Sequence, residues 1–234
     1  MTGTWDSARQ AMCAEIAAEV KETESFLGKA ALDPRVMAAM AKVPRHLFVP
    51  VAYRAAAYDN KPLPIGEGQT ISQPYIVAVM SDLAATRRGD RVLDVGTGCG
   101  YQAAVLAELG CQVYSIERHG GLVAGAVRNL DLAGYREVRL RTGDGLKGWP
   151  EAAPFHAILV AAAREGAAPP LLIEQLRAPG RMVIPLSRRG FFGRFGNTQE
   201  LMRVIKAEDG ELVVDSMLPV AFVPFIEEAN TNLR

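Results

Sequence analysis

Between residues 90 and 186 the chain alternates short β-rich runs with helical stretches, and no other feature restricts the fold as much. DRVLDV leads into a glycine turn and the alanine-rich GTGCGYQAAVLAELG, and CQVYSIE into GLVAGAVRNLDLAG. EVRLRTGDG and FHAILVAAA follow, then PPLLIEQLRAPG as a helix before RMVIPL. FHAILVAAA is apolar throughout, and the β-rich runs read as continuously buried rather than as apolar/polar alternation, which marks strands buried on both faces. Strand–helix alternation with such strands predicts a mostly parallel, doubly wound α/β sheet. Beyond it, two β-rich runs flank Glu208-Asp209-Gly210 and predict an antiparallel hairpin at the end of the sheet.

The first sixty-five residues follow a different pattern. Met12, Ile16 and Val20 recur every four residues and outline one apolar helix face. Asp33 and Pro34 suit the cap and first residue of a helix carrying Val36, Met37 and Met40, which VPRHLFVP interrupts. The expected organisation is a helical extension over residues 1–65 packed on a core domain over 66–234, compact as one unit. A chain of 234 residues, 49% hydrophobic, can bury a core of that size.

Composition excludes several partners. Lysine plus arginine equals aspartate plus glutamate at 26 each, so no basic field points to nucleic acid. No apolar run approaches the roughly 20 residues that span a bilayer, and the N-terminal residues lack the pattern of a secretory signal. Cys13, Cys99 and Cys111 are scattered without CxxC spacing, as in a reduced, cytoplasmic protein. Ligand clusters for a metal are missing, and none is expected.

The chemistry is expected at the carboxyl end of the first core strand, LDVGTGCGY, because open parallel sheets bind ligands there. Gly96, Gly98 and Gly100, with Thr97 between them, let backbone lie against a ligand. A dinucleotide fingerprint has its third glycine one residue later, and Tyr101 fills that slot. Asp94, two residues before the loop, would repel a pyrophosphate but suits a ligand bearing a cation. S-adenosylmethionine has an ammonium, a sulfonium and no phosphate. Glu117, ending the second strand, is placed to accept ribose hydroxyls, and Asp144 in TGDG to accept from the adenine amino group. Acids at three successive strand ends beside a glycine loop therefore point to S-adenosylmethionine and a Rossmann-like class I methyltransferase fold.

That chemistry does not name the acceptor. The stretches VPRHLFVP, AYDNKPLPIGEGQTISQPYIVAVM, VLDVGTGCGYQAAVLAELG, SIER, GDG, PFHAILVAAA and FVPF together resemble the protein-L-isoaspartate O-methyltransferase family, from about Asp33 to Phe225. GEGQTISQP carries the specific part of the likeness, since many methyltransferases share the glycine loop. The resemblance implies methyl esterification of the free carboxylate of isoaspartyl residues in damaged proteins and peptides. S-adenosylhomocysteine is then the product, and repair proceeds through a succinimide. It implies that Ser72 holds the active-site serine position, with Gln69, Thr70 and Ile71 over the methionine end of the cofactor. Asp94, the glycine loop, Glu117, Asp144 and Gly145 fall on cofactor positions. Thr70, Ser72, Val223 and Pro224 border the acceptor peptide.

A carboxylate acceptor is already ionised at neutral pH and needs no base, so His46, His119 and His156 read as surface or packing residues. Ser72 then orients the acceptor and is not a nucleophile. Ser72 or Thr70 is also a candidate cap for the helix that Pro74 opens, and the stretch as a whole reads as a cover over the cofactor. Three features depart from the family pattern. Ala161 stands where threonine is common, His46 where glutamate is common, and SRRGFFGRFGN at 187–197 is long and rich in arginine and phenylalanine. Rival readings are methylation of an aspartate in a dedicated peptide precursor, methylation of RNA or a small molecule, and a non-catalytic cofactor-binding module.

Overall fold

The structure, a computed structural model, describes residues 2–188 and 198–225. The arginine- and phenylalanine-rich stretch lies outside the described residues from 189 to 197. Helix α1 (Thr2–Glu22) leads through α2 (Glu24–Leu27) to α3 (Pro34–Lys42). Met12, Ile16 and Val20 sit on the face of α1 turned inward, each at most 1% exposed. Helix α3 starts as its sequence predicts: the Asp33 carboxylate accepts the Arg35 N–H at 2.8 Å, and Pro34 needs no donor partner at the first position.

Strands β1 (Leu63–Gly66) and β2 (Gln69–Ile71) form an antiparallel hairpin turning through Glu67 and Gly68, and α4 (Pro74–Leu83) follows. The expected division between residues 65 and 66 falls inside this hairpin. Next come β3 (Arg91–Val95), α5 (Tyr101–Glu108), β4 (Gln112–Glu117), α6 (Gly120–Ala133) and β5 (Arg139–Thr142). The chain then crosses to β6 (Phe155–Val160), the two-residue β7 (Arg164–Glu165), α7 (Pro170–Gln175) and β8 (Leu176–Arg188). Strands β9 (Thr198–Lys206) and β10 (Leu212–Val220) end the sheet, whose order is β10-β9-β8-β6-β3-β4-β5, with β7 paired to β8.

Strands β3, β4, β5, β6 and β8 are parallel, while β8–β9 and β9–β10 are antiparallel. The predicted doubly wound sheet with a terminal hairpin is therefore what forms. Successive side chains of a strand point to opposite faces, and each face has its own core. Ala157 and Leu159 of β6 enter the core that includes Ile16, Tyr75 and Tyr101, while Ile158 and Val160 enter the one with Leu172 and Ile184. Since β3 pairs with β4 on one side and β6 on the other, the strand order reverses at β3. A crevice opens at such a point.

Two expectations are corrected. The helix expected over PPLLIEQLRAPG stops at Gln175, and Leu176 to Gly180 open β8 instead. Pro179 has no N–H for the last helical turn, and Leu176 pairs with Phe155 across the sheet. The third parallel strand, β5, is not buried throughout, because it is the edge of the sheet. Its arginines cover aromatic faces: Arg139 lies 4.9 Å from the Tyr114 ring and Arg141 4.4 Å from that of Trp149. Among the described residues no helix is long and apolar enough to cross a membrane.

The docking of α1 rests on its apolar face, so Ile16→Ala is expected to cost about 3 kcal/mol of unfolding free energy. The exposed Leu132 of α6, at 68% exposure, should tolerate the same truncation within about 0.5 kcal/mol. Urea unfolding followed by circular dichroism measures both, and a cost below about 1 kcal/mol at Ile16 would show that α1 is not anchored through this face.

Candidate active site

The turn after β3 is built from backbone that a side chain would obstruct. Gly96 has φ +95°, and a Cβ there would lie 3.4 Å from that of Ala161 at the end of β6. The strand ends are tied together by backbone: Gly96 N–H donates to Ile116 at 2.9 Å and Ala161 N–H to Val95 at 2.8 Å. Gly100 has another duty. A Cβ there would approach Leu130 of α6 to 3.2 Å, so this glycine lets α5 start close against α6. It does not line the cavity.

Two acids flank the turn in different states. Glu117 is 7% exposed and lines the cavity. Its Oε2 accepts Gly98 N–H at 2.9 Å and its Oε1 accepts His119 N–H at 3.0 Å. The carboxylate is thereby fixed, and each oxygen keeps a lone pair for a ligand hydroxyl. Asp94 is fully buried behind the loop and does not line the cavity. Its Oδ2 accepts from Ser115 Oγ at 2.7 Å, Ser115 Oγ lies 2.5 Å from Thr97 Oγ1, and its Oδ1 has no partner. Burial, reinforced by the charge of Glu117 and opposed by the Ser115 hydrogen bond, pushes its pKa up to about 7. A carboxylate with an unmatched buried oxygen beside the crevice favours a cationic ligand and disfavours a pyrophosphate.

Further along, the Asp144 carboxylate accepts Leu146 N–H at 3.0 Å, which holds the turn carrying Gly145. A Cβ on Gly145 would come within 2.9 Å of the Phe225 ring, so Phe225 closes down on this glycine. The segment delivering Phe225 is pinned twice. Gln199 accepts Phe222 N–H at 2.6 Å and donates to Phe222 O at 3.1 Å, while Ala163 exchanges hydrogen bonds with Val223 and Phe225 at 2.8 and 2.7 Å.

The opposite wall is the β1–β2 hairpin and the residues up to Pro74. Neither Ser72 nor Thr70 caps α4, contrary to expectation. Its N-cap is Gln73, without a side-chain cap bond, and Asn60 Oδ1 accepts Tyr75 N–H at 3.0 Å from fifteen residues away. Arg45, 0% exposed, donates through Nη2 to Ser72 O at 2.8 Å and through Nε to Ala57 O at 2.8 Å. Its guanidinium lies 4.8 Å from the Tyr101 ring centroid. The peptide at Ser72 is thus clamped, while its hydroxyl has no partner among the described residues.

These walls line a partly open cavity of about 110 Å³. Gln69, Thr70, Ile71, Gly96, Thr97, Gly98, Glu117, Asp144 and Gly145 all line it, as do Ser72, Val223 and Pro224. A second cleft of about 520 Å³ meets the first at Thr70, Ser72, Ala161 and Val223. Sequence reasoning missed Tyr101, Gln102, Ala162 and Phe225 as lining residues, and His119, expected as a surface or packing residue, also lines the cavity. Their signal was adjacency to a strand end or to the glycine turn. The other histidines are structural: His46 stacks on Trp5 and bonds Tyr58 at 2.8 Å, and His156 accepts Arg91 N–H at 3.0 Å.

Comparison with known proteins agrees with this geometry. Protein-L-isoaspartate O-methyltransferase 2 of Syntrophobacter fumaroxidans is 53% identical over 94% of this chain and 86% of its own length. The Polaromonas sp. protein of the same name is 54% identical over 91% of this chain and 98% of its own. A solved protein-L-isoaspartate O-methyltransferase superposes with a TM-score of 0.73 at 25% identity, over 91% of this chain and 65% of that longer one. A Plasmodium falciparum structure in complex with S-adenosyl-L-homocysteine shares the fold, with a TM-score of 0.71 at 20% identity over 92% of this chain and 98% of that one. The family model for protein-L-isoaspartate(D-aspartate) O-methyltransferase matches residues 25–230, so this chain belongs to that family.

Proposed function

We propose that the protein transfers a methyl group from S-adenosylmethionine to the free carboxylate of L-isoaspartyl residues in damaged proteins and peptides. The observation that carries this reading is the unengaged Ser72 hydroxyl, on a clamped backbone, at the opening where the two cavities meet. One cavity has the acids and glycine turn that suit the cofactor, and the other leaves room for a peptide.

The residues fit that cofactor. The unmatched Asp94 oxygen supplies negative potential behind the loop, Glu117 presents fixed acceptors to ribose hydroxyls, and Asp144 with Gly145 borders the adenine end. When bound, S-adenosylmethionine supplies an electrophilic methyl on a sulfonium, which departs as a neutral thioether. The acceptor carboxylate is ionised at neutral pH, so no residue has to remove a proton, and His119 need not act as a base. What the chain contributes is alignment and exclusion of water. Ser72 would hold one carboxylate oxygen by a hydrogen bond and leave the other free to react. Thr70 and Val223 confine the acceptor, and Phe225 with the hairpin shields the site. The reading extends to a cytoplasmic location, in keeping with the three unpaired cysteines.

The direct test is methyl transfer from labelled S-adenosylmethionine to matched isoaspartyl and aspartyl peptides. Only the isoaspartyl peptide should be labelled. Labelling of neither would direct attention to a dedicated precursor, RNA or small-molecule acceptor, and cofactor binding without any turnover to a binding module. Ser72→Ala is expected to lower turnover about ten- to a hundredfold, the value of one hydrogen bond to a charged group, while cofactor affinity stays within a few-fold. Unchanged turnover would remove Ser72 from the mechanism.

Asp94 gives a pH signature. Below pH about 7 its carboxyl is protonated in the free protein, and a cationic ligand favours the ionised form. Binding at pH 6 should therefore release a proton, and affinity should rise by up to about tenfold per pH unit before levelling above 7. Titration calorimetry in buffers of different ionisation enthalpy measures this, and Asp94→Asn should abolish the proton release. Absence of release in the unsubstituted protein would place Asp94 outside the electrostatics of binding.

A further inference from the structure

The second cleft has one ionisable acid in an otherwise uncharged lining. Phe26 of α2, Pro62, Ile76 of α4 and Leu218 to Phe222 at the end of β10 and beyond give it apolar walls, and Glu19 of α1 is the only charged side chain lining it among the described residues. Glu19 is half-buried. Its Oε2 accepts from Asn60 Nδ2 at 2.6 Å and from Gln73 Nε2 at 3.1 Å, and its Oε1 accepts from Gln73 Nε2 at 3.3 Å. All these donors are neutral amides, and among the described residues no lysine or arginine pairs with Glu19. A carboxylate has about four acceptor positions, so capacity remains toward the cleft. Because Gln73 is bonded to Glu19 and adjoins Ser72, the acid lies within about three extended residues of the acceptor position.

We infer that the second cleft seats the residues flanking the isoaspartyl unit, and that Glu19 makes it select a lysine or arginine there over an acidic residue. The inference rests on the isoaspartyl reading of the active site. Its physical basis is an unneutralised charge in an apolar enclosure, where complementary charges discriminate partners more strongly than on open surface. Burial raises the pKa of Glu19, Asn60 and Gln73 oppose that, and Glu22 and Glu15 add to it. The group is therefore one that a substrate cation would stabilise. Acidic flanks would meet like charge and lose their hydration without compensation.

The competing account is that Glu19 only holds Asn60 and Gln73 in place. Glu19→Gln separates the two, because its amide oxygen still accepts from both donors while the charge is gone. The experiment compares kcat/KM for three isoaspartyl peptides with arginine, alanine or glutamate within three positions on either side. In the unsubstituted protein the arginine peptide should exceed the glutamate peptide by about tenfold at pH 7.5. Raising the salt concentration should shrink that ratio. In Glu19→Gln the ratio should fall to about two, the arginine peptide becoming slower and the glutamate peptide faster. These opposite changes are something a structural role would not produce. Equal rates for all three peptides in the unsubstituted protein would overturn the inference while leaving the isoaspartyl reading intact, as would a uniform loss in the variant. Failure to label any isoaspartyl peptide would overturn both. Should the variant not fold, the salt dependence in the unsubstituted protein decides alone, and a salt-independent ratio counts against a charged subsite.

Discussion

A guanidinium removed from water must find acceptors, and the way Arg45 finds them ties the acceptor wall to the rest of the molecule. With no exposed surface, it donates to the carbonyls of Ala57 and Ser72 and faces the Tyr101 ring. One side chain therefore joins the segment after α3, the loop before α4 and the first turn of α5. Among the described residues none of its partners is a carboxylate, so the cation depends on backbone dipoles and a π face. Replacing it by a neutral side chain would leave the Ala57 and Ser72 carbonyls without this donor, at a cost of about 1–3 kcal/mol for each buried acceptor left unpaired. The position of Ser72 is thus set less by its own stretch of chain than by a residue twenty-seven positions earlier.

The same contrast between near and distant partners explains what could be read in the sequence. The parallel strands, the glycine turn and Glu117 were legible because each depends on residues close together. An apolar run, a turn needing positive φ and an acid at a strand end are local statements. The terminal hairpin was legible for the same reason, since Gly210 N–H closes the turn on Ala207. The end of α7 was misjudged because Leu176 has a strand partner, Phe155, that no local pattern announces. The cap of α4 was misjudged likewise, with Asn60 supplying what Ser72 and Thr70 were expected to supply. Asp94 was legible as an acid beside the turn. Its burial behind the turn, and the raised pKa that follows, required knowing that Ser115 and Glu117 lie beside it.

The two halves of the site differ accordingly. Most of the cofactor side comes from the carboxyl ends of neighbouring strands, and its acids are held by backbone N–H groups or by a neighbouring hydroxyl. The second cleft, the proposed acceptor side, draws on α1, the loop before α4 and the segment after β10, which are far apart in the chain. Resemblance to a family identified Ser72 and Val223 there, but composition and spacing had nothing to say about Glu19. Sites assembled from distant segments are set by tertiary hydrogen bonds, and here these are the bonds of Arg45, Gln199 and Asn60.

This division suits the chemistry. Transfer to a carboxylate needs no proton movement, so the chain can dispense with a tuned base and put its polar groups into positioning. Glu117 is held by two backbone donors, whereas the Ser72 hydroxyl has no partner among the described residues on a backbone that Arg45 clamps. A hydroxyl so placed can accept either approach of a carboxylate while holding its distance from the cofactor cavity. A site that must accept damage at many positions in many proteins gains from such tolerance at the reacting group. On the proposed reading, selectivity comes from the flanks, in the cleft where Glu19 supplies the one charge among the described residues.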